Sequence, residues 1–412
     1  MSAPSFLDPS VLACPFPFYE QLHQHCPVVE VPELGVVLVT KYDDVMTVIK
    51  DDDTFLSGIS GELVSAFSFN PVRDSVNQVL AQAPVPAAPL GTLGFADPPD
   101  HTRQRGIVNQ AFTPRRVRLL QSVTEKHASE LLEQWPDSGE IEFVRQYAAP
   151  LPIAVLSEAL GVKIEDREQF RIWTESVLTR LGQVLTEEED LAAAHQVVEF
   201  QNYMVELIEQ RRHGEHDDML GDLLRARLED EAEVSMTELI GIVLHLLVAG
   251  NETTRGAIAS MMYELVKQPE LLAAVREDRS LVPKAFEETL RLQAPVMLFT
   301  RVAAKDVEIA GVPIKAGRIV MPVFHAANCD AGYFPEPAEF RLDRRYAKPH
   351  LGFGSGIHFC VGANLARAEA EIAFNEILDR YRAIELADGE EPRFNANFWS
   401  RSLAGLRLKV AR

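Results

Sequence analysis

Residues 351–362 read LGFGSGIHFCVG. Cys360 stands behind Gly352, Gly354 and Gly356 and ahead of Gly362, with His358 two residues before it. Glycine is entropically costly and is kept where the backbone needs unusual dihedrals or a close approach. A cysteine does chemistry as its thiolate, which needs backbone N–H groups, a cation or a metal beside it. Gly354 and Gly356 would let several N–H groups turn toward one sulfur. A helix starting at Cys360 would add the positive end of its dipole. Phe353 would screen the sulfur from water, and Gly362 would admit a flat group.

One thiolate with no second protein ligand nearby suits the iron of a haem, whose porphyrin supplies four further donors. The plainer alternative is a glycine-rich loop before a helix, with the cysteine merely buried; these residues alone leave both open. A second constellation is Ala249-Gly250-Asn251-Glu252-Thr253-Thr254. Glycine inside a helix costs about 1 kcal/mol relative to alanine, so Gly250 implies that something approaches the backbone there. An acid beside an alcohol is suited to proton delivery; the alternative is a polar helix break. Glu288 and Arg291, at i and i+3, share a helix face, as ordinary surface ion pairs do. In Asp97-Pro98-Pro99-Asp100-His101-Thr102-Arg103-Gln104-Arg105, His101 and Arg105 are spaced to grip an anion, or simply to charge a surface.

The elements that must position these groups are mostly helical. TPRRVRLLQSVTEKHASELLEQW (113–135) opens with a Thr–Pro helix start, and 190–213 is amphipathic. The long pattern 235–268 has a Ser235/Glu238 capping box and an apolar middle, which predicts a central buried helix. A further helix runs over 360–381. Short strands are expected at 28–31 and 36–40 and within 306–324, and the Pro- and Ala-rich stretch 81–96 reads as a long loop. Length gives a prior of two to three domains for the 412 residues, yet no repeat or linker divides them. The net charge of −21 argues against a nucleic-acid binder. Four cysteines, Cys14, Cys26, Cys329 and Cys360, form no C-x-x-C pair and suggest a reducing compartment. No signal peptide is visible, and the apolar run 239–250 is too short to span a bilayer. The expectation is a soluble, cytoplasmic protein.

Phe353-Gly354-Ser355-Gly356-Ile357-His358-Phe359-Cys360-Val361-Gly362 resembles in full the haem-binding signature FGxGxHxCxG of the bacterial cytochromes P-450. Ala249–Thr253 is similar to that family's oxygen-activation motif, Glu288/Arg291 to its ExxR pair, and Asp97–Arg105 to its DPPxHTxxR segment. The four lie in the family's order, and the resemblance covers essentially the whole chain. It implies one mainly α domain with small β-sheets over 1–412, the haem lying between the long central helix and the cysteine-ligand loop. It implies haem b held through Cys360, with Phe353, Gly354, Gly362, Ala249 and Gly250 against it and with His101, Arg105, Arg301 and His358 near its propionates. Glu252 and Thr253 would relay protons during O2 activation. The third partner of the ExxR pair is not named by the sequence. The family places a base in a P-x-R-F-D-like stretch, whereas this chain has Pro337-Ala338-Glu339-Phe340-Arg341, acid and base exchanged.

The implied function is that of a monooxygenase inserting one atom of O2 into an apolar small molecule. The alternatives are an H2O2-driven peroxygenase and a non-catalytic haem sensor. The pocket would draw on Phe67 and Phe69 in loop 61–96, which also holds Val72, Val79, Leu80 and Leu90. It would also draw on Val248, Val296, Met297, Phe299, Phe398 and Trp399. His245 lies four residues before Ala249 and eight before Thr253. Each four-residue step turns a helix face by only about 40°, so His245 belongs to the same stripe. It is either a core histidine satisfied by the protein or a hydrogen-bonding group for substrate. No flavin or iron–sulfur cysteine motif is present, so electrons would come from a ferredoxin and its reductase. Arg115, Arg116 and Arg118 would form the basic patch that steers it. A monomer is expected, with no nucleic-acid or membrane partner.

Overall fold

The structure is a computed structural model describing residues 6–58, 72–85, 92–182, 185–212, 216–226, 234–395 and 397–412. It is helix-rich with small sheets, as expected. It packs as two compact units, one of Met1–Ser57, Thr124–Leu151 and Glu252–Arg412, the other of Gly58–Val123 and Pro152–Asn251. Among the described residues no helix is long and apolar enough to cross a membrane.

Among the described residues, all the sheets lie in the first unit. Strands β1 (Val28–Val31), β2 (Val36–Val39) and β3 (Phe55–Leu56) come first, then β4 (Ser138–Glu142), β5 (Arg301–Ala303), β6 (Val307–Ile309), β7 (Val312–Ile314), β8 (Ile319–Pro322), β9 (Ala383–Leu386) and β10 (Arg407–Ala411). The larger sheet has the order β1-β2-β8-β5-β3. Every residue of β2 and β8 is buried, as expected of interior strands covered on both faces. Antiparallel pairing of Arg301 with Val320 fixes the place of Arg301 in this sheet. Strands β6 and β7 close through Ala310 and Gly311, both at positive φ; two such residues suit a two-residue hairpin turn.

The ExxR pair is sealed in this unit. Glu288 and Arg291 project from the Leu281–Leu292 helix, and the two side chains are 1% and 0% exposed. Arg291 grips Glu288 through Nε and Nη2 at 2.9 and 2.8 Å. Its remaining donors reach the carbonyls of Asn328, Pro337 and Glu339. The third partner is Arg344, whose Nε donates to Glu288 at 2.8 Å. Arg341, the base left over from the exchanged motif, offers only its backbone N–H at 3.1 Å, and its side chain turns out to Asp343 and Glu336. Tyr346 donates its hydroxyl at 2.8 Å. Burial raises the Glu288 pKa, but the donors of Arg291 and Arg344 outweigh that and hold it below the usual value.

The 31-residue helix Met236–Val266, whose first half up to Asn251 belongs to the second unit, begins as expected, the Glu238 N–H bonding to the Ser235 hydroxyl at 3.2 Å. The reciprocal half of the capping box is replaced by a pairing of the Glu238 carboxylate with Arg103. The expected basic patch also changes. Arg116 is buried and tied to Asp222 and Asp217 at 2.8 Å each, and Arg115 reaches Asp217 as well. Arg116 is thus a structural cation, and of the three arginines only Arg115 and Arg118 are exposed.

Two stability predictions follow from the first unit. Arg344→Ala should lower unfolding stability by about 1.5–3 kcal/mol, the range for a hydrogen bond to a charged group. Arg341→Ala, at an exposed ion pair, should change it by less than about 0.5 kcal/mol. Urea unfolding of the two variants checks the assignment. Glu369 is buried on the Ala363–Arg380 helix, its Oε2 without a hydrogen-bond partner among the described residues, and burial raises its pKa to about 8. Below its unfolded value the carboxyl is neutral in both states and costs nothing. As pH rises toward about 8 the unfolded chain sheds the proton first, so stability falls. Glu369→Gln should stabilise the protein at pH 8 and flatten this slope, as read from melting temperature against pH.

Candidate active site

The cysteine loop is built as its glycines require. Gly354 and Gly356 have φ of +68° and +69°. A Cβ on Gly356 would stand 2.9 Å from the carbonyl oxygen of Ile49. The Cys360 N–H bonds to the Phe353 carbonyl at 3.0 Å, closing the loop on itself. The thiol is half-buried. One expectation is corrected: the helix begins at Ala363, with Gly362 as its N-cap. Cys360 therefore precedes the helix in a turn, its carbonyl accepting from Ala363 at 3.4 Å. His358 Nε2 lies 2.9 Å from the Ser57 hydroxyl.

A brace holds the loop. Glu287, next to the ExxR glutamate, bonds to Arg367 Nε at 2.6 Å and lies 2.9 Å from His350 Nε2. Arg367 in turn lies over the Phe353 ring, 4.5 Å from its centroid. Burial pushes the Glu287 pKa up, but the bonds from His350 and Arg367 overcome this and bring it to about 2. The Leu281–Leu292 helix thus secures the ExxR core through Glu288 and the signature phenylalanine through Glu287. Sequence reasoning missed Glu287, His350 and Arg367. The adjacent glutamates 287 and 288, which must point to different helix faces, were the available signal.

The central helix carries the acid–alcohol pair. Most of its residues from Leu239 onward are buried. His245, Val248, Glu252 and Thr253 are half-open and Ala249 is exposed, forming one stripe. Glu252 is held by Arg255 at 2.8 Å, a partner the sequence did not single out. At Gly250 the group that uses the missing side chain is Leu156, whose Cδ1 lies 2.9 Å from where a Cβ would be.

The anion-gripping residues are placed unit by unit. In the first, Arg301 is buried on β5 and donates to the Thr300 carbonyl at 2.8 Å. In the second, His101 is buried on the Asp100–Ala111 helix, and Arg105 is half-buried, its Nε bonded to Asn109 at 3.1 Å. The pocket residues divide. Val296, Phe299 and Trp399 are half-open, with Phe299 edge-on to Trp399 at 5.5 Å, and Val296 bridges to Ser400. Met297 is fully packed, and Phe398 is buried against Phe6 at 6.2 Å. These two serve the core. Phe67, Phe69 and Leu90 lie outside the described residues.

The donor set fits a haem. Within the first unit it offers one half-buried thiol in a closed glycine loop and Arg301 as a buried basic group. Among the described residues no three His, Cys, Asp or Glu side chains converge as a metal site. The comparisons agree. The cytochrome P450 family profile matches residues 183–405. The chain is 36% identical to the 6-deoxyerythronolide B hydroxylase of Saccharopolyspora erythraea, over 93% of this chain and 92% of that protein. It is 34% identical to the nocardicin C N-oxygenase of Nocardia uniformis subsp. tsuyamanensis, over 85% and 83%. Its fold matches cytochrome P450 CYP109Q5 from Chondromyces apiculatus with a TM-score of 0.86 and 30% identity, covering 100% and 99%. The chain belongs to the cytochrome P450 family. It is a haem-thiolate monooxygenase that uses haem iron and O2 on small molecules.

Cys360→Ser should abolish the thiolate-type absorption of the reduced, carbon monoxide-treated protein and with it turnover. Difference spectroscopy of the purified variant checks this; retention of the thiolate band would assign the ligand elsewhere.

Proposed function

We propose that Cys360 is the iron ligand, that the cofactor is haem b, and that the chain works as one domain hydroxylating or epoxidising an apolar substrate. The closed, glycine-built loop around a single half-buried thiol carries this reading. The bound haem supplies the oxidation chemistry, and a thiolate ligand favours O–O cleavage. In this reading His101, Arg105, Arg301 and His358 hold its carboxylates, and Ser57 orients His358. Phe353, Gly354, Gly362, Ala249 and Gly250 lie against it. The half-open Val248, Val296, Phe299 and Trp399 give the substrate an apolar wall, where burial rather than charge drives binding.

Glu252 and Thr253 move protons. The Thr253 hydroxyl passes a proton inward, and Glu252, released from Arg255, replenishes it. We further propose a ferredoxin with its reductase as electron source, a monomeric state and a cytoplasmic location. Arg118 and Arg115 are the exposed arginines left to steer an acidic partner to a protein of net charge −21.

Thr253→Ala should keep haem and substrate binding while product formed per reducing equivalent falls about tenfold or more, within the span of acid–base effects. Coupling is measured as product against NAD(P)H consumed. An unchanged ratio removes Thr253 from the proton path. Turnover with H2O2 alone at the full rate would favour the peroxygenase, and ligand shifts without product would favour the sensor.

A further inference from the structure

His245 is the odd member of the open stripe. Residues Val243, Leu244, Leu246 and Leu247 around it are all buried and apolar. Two other histidines drawn into the protein, His325 and His350, are satisfied there. His325 meets the Leu292 carbonyl at 2.8 Å and the Tyr19 hydroxyl at 3.3 Å. His350 has Glu287 and the Gly352 N–H. Among the described residues the ring nitrogens of His245 have no hydrogen-bond partner. Its recorded contact is the Phe95 ring, edge-on at 5.9 Å and 70°. The core-histidine expectation, a ring satisfied by a carbonyl or side chain, is therefore not what the structure shows.

Two further facts define what His245 faces. Part of its surface is open, yet burial lowers its pKa to about 4. The ring is therefore neutral, with one side open on the stripe that also holds Val248 and Ala249. The ring is also held. Thr92 packs against Gly241 on the same helix, 3.1 Å from where a Cβ would stand. The Leu93 N–H bonds to buried Gln104 at 2.6 Å, and the Phe95 N–H to the Thr92 carbonyl at 3.1 Å. Phe95 is thereby pinned beside His245, and sequence reading had passed over it.

We propose that His245, steadied by Phe95, is a specificity-determining residue that hydrogen-bonds a neutral oxygen, a ketone, ester or hydroxyl, on an otherwise apolar substrate. This deepens the pocket reading above and rests on it. A neutral imidazole offers one N–H and one lone pair, which suits a carbonyl or an alcohol. A carboxylate is disfavoured, because the ring is uncharged at neutral pH and the charged side chain one turn beyond Ala249 is the acid Glu252.

The test uses the haem-loaded protein and spectral titrations with cyclooctanone, cyclododecanone and androstan-3-one, each beside its parent hydrocarbon. The wild type should bind at least one ketone more tightly than its hydrocarbon. His245→Leu should weaken that ketone about two- to tenfold, the worth of one neutral hydrogen bond, and leave the hydrocarbon unchanged or tighter. His245→Gln, which keeps a donor and an acceptor, should retain most of the preference. An unaltered carbon monoxide spectrum in both variants separates this result from failure of the haem-thiolate reading. Absence of ketone preference in the wild type, or equal shifts for ketone and hydrocarbon in His245→Leu, overturns the proposal.

Discussion

The burial of one carboxylate constrains much of the first unit. Glu288 accepts five hydrogen bonds, from Arg291 twice, Arg344, Tyr346 and the Arg341 N–H. An isolated buried charge is costly, and removing one partner of a buried pair costs several kcal/mol. The donors come from a helix and from the long irregular stretch 336–346. That stretch has little regular structure of its own to hold it. Arg291 and Arg344 hold it by binding its carbonyls while they satisfy Glu288, so the charge network substitutes for a ladder of backbone bonds.

From the same helix, Glu287 extends this order to the cysteine loop. Its bond to Arg367 sets a guanidinium over Phe353, joining electrostatics to an aromatic face. A second buried network secures the other end of the unit. Glu264 on the central helix accepts from Gln293, which accepts from Arg401, whose guanidinium stacks 3.7 Å above Phe394 and reaches the Leu12 and Ala13 carbonyls. Arg401 lies two residues after Trp399, so charge joins the Val296–Ser400 bridge in fixing the C-terminal turn that carries this half-open ring.

Where glycines, helical periods and ordered motifs announced themselves, the sequence was readable. The cysteine loop, the central helix and the ExxR pair stand where expected. The misses have physical causes. Arg344 could not be singled out because the path of an irregular chain, not spacing along it, decides which base meets Glu288. Cys360 was read into the helix, whereas Gly362 is its cap. Met297 and Phe398 were grouped with Val296, Phe299 and Trp399 because composition does not say which side of a short extended segment faces in. Gly250 did mark a close approach, but the visitor found there is Leu156. His245 was visible as a polar break in an apolar run; its neighbour Phe95 was not, since nothing local ties residue 95 to residue 245.

The seat of the cysteine loop has a consequence for how the protein is made. Gly356 must lie against the carbonyl of Ile49, and His358 meets Ser57 across 301 residues. The two sides of this junction leave the ribosome at opposite ends of synthesis. Residues 49–57 must wait, folded or chaperoned, until nearly three-quarters of the chain has followed them. Closing so long a loop carries an entropic cost that grows slowly with length and makes contacts of this kind late and slow. On the proposed reading, cofactor loading at Cys360 waits until this loop has been made and seated. A nascent or truncated product ending before this loop is left with an N-terminal segment lacking its counterpart, and the cell's quality control would meet it as an open, sticky intermediate.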